Sequence, residues 1–246
     1  MRTIILLFFV LTLGVVSCAP QASVETREEA LRKGFRLNDQ GKYDEAISYF
    51  EALLQKNPHY QVRLALASSY AARAGVKIEN IYGFVMVKAR PDTHFDFSGV
   101  MLDQQTQKMV RSLQQFAQQW NLIPTANVAA RADLQNALTV LANNTEPGVR
   151  LYAATLRVII LKSAILEGVE SWNYVTQSRG KKLCTKDIKP YWTWSLKILD
   201  GLKSLAFDLE LSFPHRQAEF AAYREQIGEV QELALQTKIP EEDRCY

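Results

Sequence analysis

Residues 28–60, EEALRKGFRLNDQGKYDEAISYFEALLQKNPHY, carry two short apolar stripes of helical period on either side of one glycine. This stretch constrains the fold more than any other. The first stripe is Ala30, Leu31, Gly34, Phe35 and Leu37; the second is Ala46, Ile47, Phe50, Leu53 and Leu54. Spacings of three and four put each set on one helical face. Gly41 falls between them, where the chain must reverse and a glycine enters the left-handed region without steric cost. Asp44 is expected to cap the second helix. Asn57-Pro58 is expected to end it, because a residue before proline is pushed out of the α region. Helices this short need tertiary packing to persist, so further helices must stack on the pair.

The pair resembles a tetratricopeptide repeat (TPR). Gly34, Leu37, Gly41, Tyr43, Ala46, Phe50 and Pro58 match that family's pattern at its spacing. Ala30 stands where the family usually has an aromatic residue. Each match has a physical reason: Gly34 and Ala46 are small where two helices cross, Tyr43 and Phe50 fill the groove, and Pro58 stops the second helix. The resemblance implies a concave helical surface that binds another protein, with Asn38, Tyr43, Tyr49 and Arg63 as expected groove contacts. Residues 61–74 (QVRLALASSYAARA) look like the first helix of a second repeat, through Leu64, Ala67, Ser68 and Ala71. Beyond Gly75 the pattern fails.

The rest of the chain remains helical in its periodicity. Asp103 to Trp120 has Met109, Val110, Leu113, Phe116, Ala117 and Trp120 on one face. Arg131 to Ala142 repeats the pattern with Leu134, Leu138 and Leu141, and Asn143 to Gly148 is a turn. Val149 to Val169 is apolar on most sides. Its charges at Arg150, Arg157, Lys162 and Glu167 argue for a central core helix, since a mid-membrane Arg or Lys costs about 2.5–3.5 kcal/mol. Asp187 to Leu211, with Pro190 in its first turn, and Pro214 to Lys238 complete the set. Residues 81–88 are the one stretch that could form a short strand. Short breaks between long helices imply antiparallel neighbours. The expected fold is all-α: a TPR-like part over residues 28–74, then a divergent antiparallel helical array over residues 75–246.

Residues 1–17, MRTIILLFFVLTLGVVS, have a positive Arg2 and an apolar run from Thr3 to Val16, shorter than the roughly 20 residues that span a bilayer. That is the architecture of a secretory signal. Val15-Val16-Ser17-Cys18 resembles the lipobox of bacterial lipoproteins. The resemblance implies cleavage before Cys18, which becomes the acylated mature N-terminus, and attachment to the envelope; Ala19 after the cysteine suggests the outer membrane. Residues 18–27 would then be a lipidated cysteine and a flexible tether.

Cys184 and Cys245 remain. In an exported chain an even pair is a candidate disulfide; two free thiols are the alternative. Neither has a neighbouring histidine or a CxxC partner, which argues against a catalytic thiol or a zinc site. His59, His94 and His215 are scattered. Asp92, His94 and Asp96 form the one acid–histidine cluster, and a polar loop accounts for it better than a metal or acid–base site does. Trp172, Tyr174, Tyr191, Trp192 and Trp194 concentrate the aromatics, either as helix packing or as a partner platform through Trp192 and Trp194. Asn143-Asn144-Thr145 matches a glycosylation sequon, which carries no weight in a bacterial lipoprotein. A formal charge of +3 and no run of five basic residues are too weak to argue for nucleic acid, and no nucleic-acid partner is expected. No phosphate loop or catalytic signature is present, so neither a cofactor nor an enzyme activity is expected.

The expected function is a membrane-anchored protein-interaction module. One alternative is a ligand-handling lipoprotein, similar in kind to TPR-containing lipoproteins of TRAP-type transporters, which requires a deep apolar pocket. The other is an envelope-remodelling enzyme, which requires converging acids or a metal.

Overall fold

A computed structural model describes residues 26–76, 123–178, 184–237 and 245, the side chains of 173–178 excepted. The signal-like segment, Cys18, residues 81–88, the amphipathic stretch 103–120 and the His94 cluster lie outside the described residues. The fold is all-α. Seven helices follow in order: α1 (Arg27–Asp39), α2 (Tyr43–Lys56), α3 (Tyr60–Arg73), α4 (Val128–Leu141), α5 (Pro147–Ser178), α6 (Thr185–Ser212) and α7 (Gln217–Gln236), with a 3₁₀ turn at Pro214–Arg216. No strand occurs among the described residues.

Each helix packs on the next in chain order. Contacts that climb one helix descend its neighbour, so the pairs are antiparallel. In α5 and α6, Gly168 meets Trp194, Leu161 meets Gly201, and Arg157 meets Asp208. In α6 and α7, Lys203 lies beside Gly228 and Glu210 beside Arg224.

The first turn forms where the sequence places it. Gly41 has φ +74°, its N–H bonds to the Asn38 carbonyl, and the Lys42 N–H bonds to that of Leu37. This double closure satisfies the last carbonyls of α1. Gly75, φ +80°, closes α3 identically through Ala72 and Ala71. Asp44 does not cap α2: the cap position is Lys42, and Asp44 instead pairs with Arg73 at 2.5 Å. A carboxylate in the first turn still complements the helix dipole. Asn127 caps α4, accepting the Ala130 N–H at 2.9 Å, so that helix begins three residues before Arg131. Pro190 sits in the second turn of α6, because the helix starts at Thr185, ahead of the expected Asp187. Thr26 closes α1 with a capping box through Glu29, whose carboxyl is held below its ordinary pKa chiefly by the Thr26 N–H.

Two connected cores hold the array. Ile47, Phe50, Ala65 and Leu66 join α2 to α3. Ala67, Ala71, Leu134, Ala137, Leu138, Leu141, Ala153, Leu156 and Ile159 join α3, α4 and α5. Helix α3 is therefore covered on both sides, and its buried residues are mostly small: Ala65, Ala67, Ser69 and Ala71. Small side chains let two neighbours approach one helix at close packing density.

The α5–α6 interface is held differently. Asp208 is fully buried and takes Arg150 at 2.9 Å and Arg157 at 2.5 Å, and Arg150 also donates to the Ala142 carbonyl at 2.5 Å. Lys162 is buried and donates to the Ile123 carbonyl at 2.6 Å, and burial depresses its pKa. Of the charges that argued against a membrane span, Arg150 and Lys162 are buried and Arg157 is half-buried on Asp208, whereas Glu167 lies exposed and pairs with Arg131. No described helix is long and apolar enough to cross a membrane.

Candidate interaction site

The α1–α2 crossing centres on Gly34 and Phe50. A Cβ on Gly34 would lie 2.5 Å from Phe50 Cε1 and 2.7 Å from Cε2, with Cζ closer still. Real carbon contacts stand near 3.5–4.0 Å, so only glycine admits the Phe50 ring. Ala46 and Phe50 have no exposure. Phe35 and Tyr49 meet the Phe50 ring edge-on at centroid distances of 5.7 and 5.6 Å. Leu37 and Tyr43 are half-buried, and Pro58 lies in the three-residue break before α3.

Helix α3 is tied to three neighbours by polar side chains. Asn38 on α1 donates from Nδ2 to Ser69 Oγ at 2.9 Å, and the Ser69 hydroxyl donates to the Ala65 carbonyl. Tyr70 donates to Glu51 on α2 at 2.8 Å; burial first, then that carboxylate, raises its pKa. Arg73 forms a fork on Asp133 of α4, at 3.0 and 2.6 Å, and reaches Asp44 of α2. The Asp133 hydrogen bonds, with Asp44 second, push its pKa further up. His59 starts α3, its Nδ1 accepting the Gln61 N–H at 3.3 Å.

The expected groove residues are thus partly engaged within the fold. Asn38 is half-buried; its Oδ1 is buried and accepts no hydrogen bond. Tyr49 donates to the Ala30 carbonyl at 3.1 Å, with the Lys33 ammonium 5.3 Å from its ring. Arg63 reaches the Val140 carbonyl at 3.4 Å. Tyr43 is half-buried on the first turn of α2. Exposed apolar area on this unit comes from Phe35, 41% exposed, and Tyr60, 39% exposed. In the sequence Phe35 reads only as a member of the first apolar stripe, and nothing in the local pattern marks Tyr60 as exposed.

The aromatic platform divides. Trp194 packs over Gly168 and donates from Nε1 to the Ala164 carbonyl at 2.9 Å, so it fastens α6 to α5. Trp192 is half-buried, and Trp172 meets Tyr191 edge-on at 4.8 Å. At the start of α6, Cys184 pairs with Cys245 at disulfide distance across 61 residues, and the two residues also form an antiparallel bridge.

A cleft of about 530 Å³ opens between α6 and α7, lined by Lys203, Ala221, Arg224, Glu225, Gly228, Glu229 and Glu232. Its volume would hold a small ligand, but its walls are charged, whereas sites for small molecules are mostly apolar. Among the described residues no three His, Cys, Asp or Glu side chains could hold a metal ion. Comparison of the chain with known protein families, with curated proteins and with solved structures finds no match.

Proposed function

We propose that the chain is a lipid-anchored envelope protein whose TPR-like helices, α1 to α3, dock another protein. One observation carries this reading: α1 and α2 form a rigid hairpin around the Gly34–Phe50 contact, with α3 fastened to it by Asn38–Ser69, Tyr70–Glu51 and Arg73–Asp44. A pre-organised helical face loses little conformational entropy on binding. Phe35 and Tyr60 supply the exposed aromatic anchors that interfaces favour. Anchoring rests on Cys18 at the end of the apolar N-terminal run, with acyl chains as the membrane partner. Several chains anchor stably, because each buried methylene contributes about 0.8 kcal/mol. A Cys184–Cys245 disulfide fits an exported protein.

The test is fractionation and intact-mass measurement of the protein from its native host. Wild type is expected in the membrane fraction, lacking residues 1–17 and carrying acyl mass on Cys18. Cys18→Ala is expected to lose that mass. An unmodified Cys18, or equal membrane retention of the variant after signal cleavage, would refute the anchor.

A further inference from the structure

Helix α7 packs on α6 with one face and, among the described residues, leaves the other exposed. Tyr223, Val230 and Leu233 are 48%, 53% and 67% exposed. With Gln226 they fall at spacings of three and four, which makes one stripe along the outer side of the helix. Beside that stripe runs a second row, Glu225, Glu229 and Glu232, on the rim of the α6–α7 cleft. None of these three carboxylates is paired with a described residue. Carboxylates four apart on a helix repel, so the row opposes the stability of α7; Lys203 of α6 lines the same cleft but forms no ion pair with any of the three. Arg224, beneath the rim, is already used by Glu210 at 3.0 Å and by the Phe207 ring at 5.5 Å.

An apolar stripe with an acidic row along one edge is complementary to a helix with an apolar stripe and a basic row. Such helices dock through anchors at i, i+3, i+4 and i+7. The stretch from Tyr223 to Leu233 is about 15 Å long at 1.5 Å per residue, the span of three turns of an occupant. The acidic row disfavours an anionic lipid surface. A second copy of α7 would set acidic row near acidic row. We propose that the outer face of α7 is a docking surface for a basic amphipathic helix of a partner protein, separate from the α1–α3 face.

The probe is a 16-residue synthetic helix with a leucine stripe and a lysine row, titrated into the full-length chain in neutral detergent by fluorescence anisotropy. The matched peptide carries glutamate in place of lysine. The lysine peptide is expected to bind at least tenfold tighter in 50 mM salt, and the preference should shrink in 500 mM salt as the Debye length shortens. The triple variant Glu225→Gln, Glu229→Gln, Glu232→Gln should abolish the preference. Val230→Ser with Leu233→Ser should weaken binding at least tenfold. All five positions are surface positions, and circular dichroism verifies that each variant folds. Equal binding of the two peptides, or lysine-peptide binding unchanged in both variants, overturns the proposal. Self-association that Leu233→Ser removes would assign the face to a second copy and overturn it. So would binding of anionic vesicles that the same serine variant removes.

Discussion

Gly34→Ala is the sharpest test of how the first helical pair is built. In an unconstrained helix interior the change stabilises by about 1 kcal/mol, because alanine has the better helix propensity. Here the new Cβ would meet Phe50 Cε1 at 2.5 Å. The ring must retreat by about 1 Å to reach ordinary contact. Phe50 has no exposure and is flanked by Phe35 and Tyr49, so nothing yields easily. Overpacking of this kind costs about 1–3 kcal/mol, and the displacement places it toward the upper end. The net expectation is destabilisation by about 1–2 kcal/mol, a fall in melting midpoint of about 2–8 °C for a domain this size. Thermal and urea unfolding by circular dichroism measure it. The control is the double variant with Phe50→Leu. With the ring shortened, Gly34→Ala should become neutral or stabilising, a coupling of about 2 kcal/mol between the sites. A Gly34→Ala protein that melts above wild type would show that the crossing is loose, and would refute the close-approach account.

Three other substitutions or treatments probe the second half of the array. Asp208→Asn removes the carboxylate between Arg150 and Arg157 and leaves two cations against the core; loss of about 3–5 kcal/mol is expected in urea unfolding. A loss under 1 kcal/mol would mean that Asp208 is not the hub of that interface. Tyr152 has a buried hydroxyl without a hydrogen bond, so Tyr152→Phe should stabilise by about 1 kcal/mol. Burial raises its pKa, which means the folded state resists ionisation. Its contribution is present below the ordinary tyrosine pKa near 10 and is lost as pH rises above it. Wild type should therefore lose more stability than Tyr152→Phe between about pH 9 and pH 11; parallel curves would contradict this. Reducing Cys184–Cys245 opens a loop of 61 residues, worth about 4 kcal/mol in the chain-entropy model. Reductant should lower the wild-type midpoint and leave the Cys184→Ser, Cys245→Ser double variant unmoved.

What the sequence discloses about this fold is local. Gly41 and Pro58 mark the ends of α1 and α2 because glycine and proline act on the backbone wherever they stand. Gly34 and Ala46 signal a crossing because the stripe would otherwise be bulky. Gly75 acts as Gly41 does, but no repeat motif follows it to draw the eye. Pro190 misleads, since proline favours a first turn while α6 gains enough from packing on α5 and α7 to start earlier. The partners of Arg150 and Arg157 could not be read at all, because Asp208 lies 58 and 51 residues away and nothing local links them. Trp194 is equally ambiguous from its neighbours: only the small Gly168, brought opposite by the α5–α6 antiparallel register, makes it a packing residue. The α7 stripe and its acidic row follow helical period, but only the fold shows that α6 takes one face of that helix and leaves the stripe exposed.

The central claim is that the α1–α3 face holds a protein at the membrane. Photocrosslinking in intact cells tests it most directly, with benzoyl-phenylalanine placed at the exposed aromatics Phe35 and Tyr60 and, as a control, at Leu151 on α5, exposed to a similar degree at 38%. The account predicts a discrete protein adduct at Phe35 or Tyr60 in the membrane fraction, none at Leu151, and loss of the adduct from that fraction in Cys18→Ala. No adduct at either aromatic position, or the same adduct at Leu151, would contradict it.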